Sequence, residues 1–90
     1  MQIHHNLDHQ RFETTIDGIT AFLSYHAINE TTLNYAHTIV PNELGGRGVG
    51  SALVKFALDY ANDHHYKIVP SCWFVDKFIN KHSQYQHLLA

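Results

Sequence analysis

Val40-Pro41-Asn42-Glu43-Leu44-Gly45-Gly46-Arg47-Gly48-Val49-Gly50-Ser51 joins an apolar, strand-like run to an amphipathic helical run. It holds four of the chain's five glycines. A backbone without Cβ takes φ > 0 readily and lets another molecule come close. The helix expected to begin near Gly48 opens with N–H groups that lack an intrahelical partner and carry the positive end of the helix dipole. A glycine turn feeding a helix N-terminus reads as an anion site, phosphate above all. The competing reading is a left-handed turn with no ligand.

Two familiar phosphate loops fail on spacing. Gly45 and Gly50 have the separation of a P-loop, but Ser51-Ala52 follows where Lys and Ser/Thr are required. A dinucleotide fingerprint needs G-x-G-x-x-G, and neither glycine pair here has its third glycine.

Outward from the loop, the elements follow from period. Arg11-Phe12-Glu13-Thr14-Thr15-Ile16 alternates, Asp17-Gly18 is a hairpin turn signal, and Ile19 to His26 reads as the second strand. Asn29-Glu30 marks another turn, and Leu33 to Val40 reads as a third strand that Pro41, lacking an N–H, ends. Val49, Ala52, Leu53, Phe56, Ala57, Tyr60 and Ala61 recur at helical spacing. Lys67 to Cys72 is a short strand, so strand–helix–strand from Leu33 to Cys72 implies a parallel pair with a right-handed crossover. A short helix places Phe74, Val75, Phe78 and Ile79 on one face, and Tyr85 and Leu88 anchor the end. Residues 1–9 show no period. The class is α+β: an antiparallel three-stranded meander, a strand–helix–strand unit with one parallel pairing, and a C-terminal helix.

Ninety residues are expected to form one domain spanning 1–90, with room for one modest core. With a net charge of −2 and scattered basic residues, the chain lacks a nucleic-acid stripe. No apolar run has membrane-spanning length, and the N-terminus is not a signal peptide. The single Cys72 excludes an internal disulfide and fits a reducing cytoplasm. Nine histidines lack the spacing of a metal motif and read as surface residues that make the charge sensitive to pH.

G-R-G-x-G-S at a strand-to-helix corner resembles the acetyl-CoA pyrophosphate loop of the GNAT N-acetyltransferase superfamily, Q/R-x-x-G-x-G/A. Gly48 and Gly50 fill the two glycine places; Gly45 stands where Gln or Arg is usual. The element order matches a minimal GNAT fold. Cys72-Trp73-Phe74, Phe78, His82 and Tyr85 resemble the short stand-alone N-acetyltransferase-domain proteins of the YjdJ type. The resemblance runs from about residue 10 onward. Phe78 stands where many relatives have Tyr, which removes a phenolic acid, and Ser83 where Pro is expected.

The resemblance implies acetyl-CoA or CoA as ligand. The strands ending at Val40 and near Cys72 would splay apart, with Ile39 and Val40 pairing to the pantetheine arm. Gly45, Gly46, Arg47, Gly48, Val49, Gly50 and Ser51 would hold the pyrophosphate, chiefly through N–H groups. The alternatives make Ser51 a helix-start residue and Arg47 a solvated charge. Acyl transfer to an amine needs the amine deprotonated, the carbonyl oxygen stabilised and the leaving thiolate protonated. Cys72 can protonate that thiolate or take the acyl group itself; equally, a free cysteine can simply pack. His37 is a base only if its side of the strand lines the cleft.

The leading reading is thus an acyl-CoA-dependent N-acyltransferase acting on an amine that the sequence does not identify. Its competitors are a non-catalytic CoA-binding module and a partner-binding domain whose loop is empty.

Overall fold

A computed structural model describes residues 1–90. Asp17 and Gly18 take φ of 53° and 77°, the paired left-handed values that a two-residue hairpin demands. They join β2 (Arg11–Ile16) to β3 (Ile19–Asn29), with Ile16 opposite Ile19. The Asn29 side chain accepts the Thr31 N–H at 2.9 Å and turns the chain into β4 (Thr32–Ile39). The expected meander is therefore present, but the antiparallel part has four strands. β1 (His4–Asn6) pairs with β2, His5 lying opposite Phe12. β1 is polar and carries no apolar period; cross-strand stacking of His5 on Phe12 holds it.

Beyond the glycine corner, α1 (Val49–Asp63) crosses to β5 (Lys67–Val69), which pairs parallel to β4 through Leu33 and Ile68. The sheet order is β1-β2-β3-β4-β5. The chain closes with α2 (Trp73–Lys81) and a 3₁₀ turn over Ser83–Leu88.

One face of the sheet carries Phe12, Ala21, Leu23, Leu33, Tyr35 and Ile68, all buried. α1 packs on it. Its buried stripe is wider than the expected one: Val54 and Leu58 are buried, whereas Phe56 lies at the margin beside Phe12. The reason is that α2 and the 3₁₀ turn cover a second flank of α1, through Val75, Ile79, Tyr85 and Leu88. The Tyr85 hydroxyl donates to Asp59 at 2.7 Å, so Tyr85 and Leu88 anchor the end of the chain as expected. The Tyr35 hydroxyl donates to the Ala57 carbonyl, which fixes the middle of α1 over β4. Burial pushes the Tyr35 phenol far above its ordinary pKa, so it stays a neutral donor.

Candidate functional site

β4 and β5 part company early. Their ladder ends at Asn34 opposite Val69, and one further bond, from the Cys72 N–H to the Tyr35 carbonyl at 3.0 Å, closes it. β4 nevertheless continues to Ile39. At this point β4 also carries a bulge. Ser24 faces His37 and Tyr25 faces Tyr35, so Ala36 is the extra residue. A bulge bends its strand and raises the local twist, and here it turns the end of β4 away from β5.

The bulge also reassigns faces. Simple alternation from Leu33 and Tyr35 would put His37 and Ile39 inward. Instead Thr38 lies opposite buried Leu23, and Thr38 and Val40 line a cavity of about 460 Å³ at the splayed end. His37 and Ile39 are exposed on the other face. His37 thus stands apart from the cavity, and any contribution of Ile39 to it comes through backbone, not side chain.

The floor and far wall come from the glycine corner. A 3₁₀ turn, Asn42–Leu44, ends at Gly45, where an added Cβ would press on the Asn42 carbonyl at 3.1 Å. That contact favours glycine at position 45 in this chain. Gly46 and Gly48 take φ of 77° and 72°, and a Cβ on either would project into open space. Gly48 caps α1 in this left-handed conformation, without a side-chain cap, and no acidic residue sits in the first turn. The first helical bond runs from the Ala52 N–H to the Gly48 carbonyl at 3.0 Å. The amides of Val49, Gly50 and Ser51 therefore precede the ladder and are free for an anion.

Gly50 has a different purpose. A Cβ there would stand 3.1 Å from the Phe74 ring and 3.5 Å from the Val40 side chain. Its lack of a side chain lets α2 close the cavity with Phe74. Arg47 leans out of the cavity toward Asp17, with Nη1 3.5 Å from Oδ2 and both side chains well exposed.

Cys72 is half-buried at the N-cap of α2. Its thiol donates to Thr38 Oγ1 at 3.4 Å. It does not line the cavity itself; Thr38, which it touches, does. Burial raises the thiol pKa, but the Thr38 hydroxyl and the amides of Val75, Phe74 and Thr38 outweigh it, so the net shift is downward from 9.0. Thr38, Leu44, Trp73 and Phe74 were not picked out as site residues from sequence. Thr38 and Leu44 belong to no motif, Trp73 and Phe74 stand in the Cys72-Trp73-Phe74 stretch without an assigned role, and the bulge that turns Thr38 inward has no sequence signal of its own.

The histidines are mostly exposed, with two departures. His5 lies inward, stacked on Phe12 at 4.4 Å with Nε2 2.6 Å from the Tyr25 hydroxyl oxygen. His82 stacks on Phe78 at 4.0 Å. No helix is long and apolar enough to cross a membrane.

Comparison with known proteins gives the following. A family model described as GCN5-related N-acetyl-transferase matches residues 11–88. Protein NATD1 of Xenopus tropicalis is 27% identical over 90 residues, covering 98% of this chain and 83% of its own. Protein NATD1 of Homo sapiens is also 27% identical, with 98% and 80% covered. The NMR solution structure of a GCN5-like protein from Staphylococcus aureus superposes with a TM-score of 0.78 at 30% identity, covering 99% of this chain and 87% of that one.

Proposed function

This chain belongs to the GCN5-related N-acetyltransferase family, and from that premise we propose that it transfers an acyl group from acyl-CoA, with acetyl-CoA as donor, to an amine. The observation that carries the reading is the continuity of the splayed end of β4 with the Gly46–Ser51 corner in one cavity. The corner fits a pyrophosphate, since its glycines leave space where a Cβ would stand and its helix amides are unpaired.

In this reading the amides of Val49, Gly50 and Ser51 hold the pyrophosphate, and the backbone of Ile39 and Val40 lies along the pantetheine arm. Arg47 adds charge from outside the cavity. When bound, acyl-CoA supplies a thioester carbon open to attack. Transfer forms a C–N bond to the amine and breaks the C–S bond; the amine gives its proton to solvent water, the departing sulfur takes one from the protein, and solvent restores the protein's proton after release. Cys72 is the proton source. Its lowered pKa makes it a stronger acid than an ordinary thiol, and Thr38, touching both the sulfur and the cavity, passes the proton inward.

One observation favours the binding-only reading: no histidine or carboxylate lines this cavity to take the amine proton. The two are separated by experiment. Native mass spectrometry and thermal shift with acetyl-CoA should show one bound ligand and a raised Tm, because a ligand selective for the folded state stabilises it. No Tm shift at millimolar ligand would remove the CoA reading altogether. Binding without turnover across a panel of small amines and peptide N-termini would leave a CoA-binding module. Gly48→Val should abolish binding, since its side chain enters the open space of the cradle. It also forces a β-branched residue to φ 72°, at a cost of about 1–2 kcal/mol in stability.

A further inference from the structure

A second cavity, of about 290 Å³, adjoins the first along α2. Ser51, Trp73 and Phe74 line both. Its remaining walls are Lys77, Phe78, Lys81 and His82, so no acidic side chain lines it. Trp73, Lys77 and Lys81 recur at fourfold spacing and stand on one side of α2. The chain carries only six lysines and arginines and a net charge of −2, yet two of the six meet here. Trp73 is 70% exposed, more than any other large apolar residue of this chain. The Lys77 ammonium stands 4.9 Å from its ring centroid and steadies the indole, with much of the ring still open. His82 is fixed as well: Nδ1 donates to the Phe78 carbonyl at 2.8 Å and the ring stacks on Phe78.

An exposed indole beside two ammonium groups suits a ligand with a flat aromatic base and a phosphate. Aromatic faces take bases by stacking, and lysines take phosphates as point charges. Resting on the acyl-CoA reading of the neighbouring cavity, we infer that this groove receives the nucleotide end of the same ligand. The Trp73 indole stacks the adenine, and Lys77 and Lys81 hold the 3′-phosphate. The groove thereby makes the protein selective for the 3′-phosphorylated cofactor over 3′-dephospho-CoA and pantetheine derivatives. The pyrophosphate cradle alone cannot make that distinction, because it meets only groups that CoA and dephospho-CoA share.

The test is titration calorimetry at low ionic strength with CoA and with 3′-dephospho-CoA. It uses wild type and the Lys77→Ala/Lys81→Ala double variant, whose changed side chains are exposed and leave the core intact. CoA should bind the wild type at least about tenfold tighter, as expected for charge-assisted phosphate contacts. In the double variant the gap should close by loss of CoA affinity, with dephospho-CoA affinity unchanged. Trp73 is the only tryptophan, so its fluorescence reports the groove directly. CoA and adenosine 3′,5′-bisphosphate should quench it, and pantetheine should not. Equal affinities for CoA and dephospho-CoA with unchanged fluorescence would overturn this assignment and leave the acyl-CoA reading standing. A gap that survives in the double variant would also overturn it, placing the 3′-phosphate elsewhere. Failure of every CoA form to bind would overturn both.

Discussion

The thiol of Cys72 is held between opposing forces. Burial favours the neutral form, while the Thr38 hydroxyl and the first amides of α2 favour the thiolate and prevail. A larger thiolate fraction at neutral pH means faster alkylation than for an ordinary buried cysteine. Iodoacetamide should therefore label native protein at Cys72, and saturating CoA should protect it. Cys72→Ser should keep acetyl-CoA affinity and lose most turnover, because a hydroxyl is a far weaker acid. Thr38→Val should raise the thiol pKa and slow labelling near pH 7 without unfolding the chain. A slow labelling rate that CoA leaves unchanged would make Cys72 a packing residue. How much of this was legible depends on the residue. The start of α2 at Cys72 is legible from the apolar period that follows it, whereas the expected strand Lys67 to Cys72 is shorter in the structure and ends at Val69. The inward turn of Thr38 is not legible, because strict alternation, which points His37 inward, fails at the Ala36 bulge.

At the scale of elements, the strand–helix–strand unit was legible because its apolar periods are long and its corner is rich in glycine. The role of one glycine was not. Gly50 reads as part of an anion loop, yet its missing Cβ serves the approach of α2 to α1 through Phe74. Gly50→Ala tests that division of labour. The new methyl presses on the ring carbons of Phe74 and pushes α2 outward, which should widen the cavity and weaken acetyl-CoA binding severalfold by calorimetry. Stability should change little, since alanine recovers about 0.5–1 kcal/mol of helix propensity against the local crowding. Unchanged affinity would mean that Phe74 is not part of the ligand wall. On the other flank of α1, Tyr85→Phe should cost about 1 kcal/mol in denaturant unfolding, the usual worth of a lost hydrogen bond, here to Asp59. β1 was illegible for a plain reason: three residues with two histidines and an asparagine carry no period.

Across the whole molecule, α1 covers one face of a five-stranded sheet, and the sheet ends at β1. That edge is held by an aromatic cluster centred on His5, which stacks on Phe12, meets Tyr60 edge-on at 4.5 Å and bonds Tyr25. Burial lowers the His5 pKa from 6.5, and the nearby His64 lowers it further. The unfolded chain, with an ordinary histidine, takes up this proton before the folded one does. Stability from His5 is therefore complete above about pH 6.5 and falls as pH drops through the lowered folded value. Protonation puts a charge into this half-buried cluster at the sheet edge, so β1 should loosen before the core. Thermal unfolding from pH 7.5 to 5 should show a falling Tm, and amides of β1 and β2 should lose hydrogen-exchange protection ahead of those in α1. His5→Phe keeps the stacking and removes the titration. It should flatten the Tm profile over this range. A variant whose Tm falls as steeply as wild type would show that acid acts elsewhere, and that the β1 edge is not the pH-sensitive part of the fold.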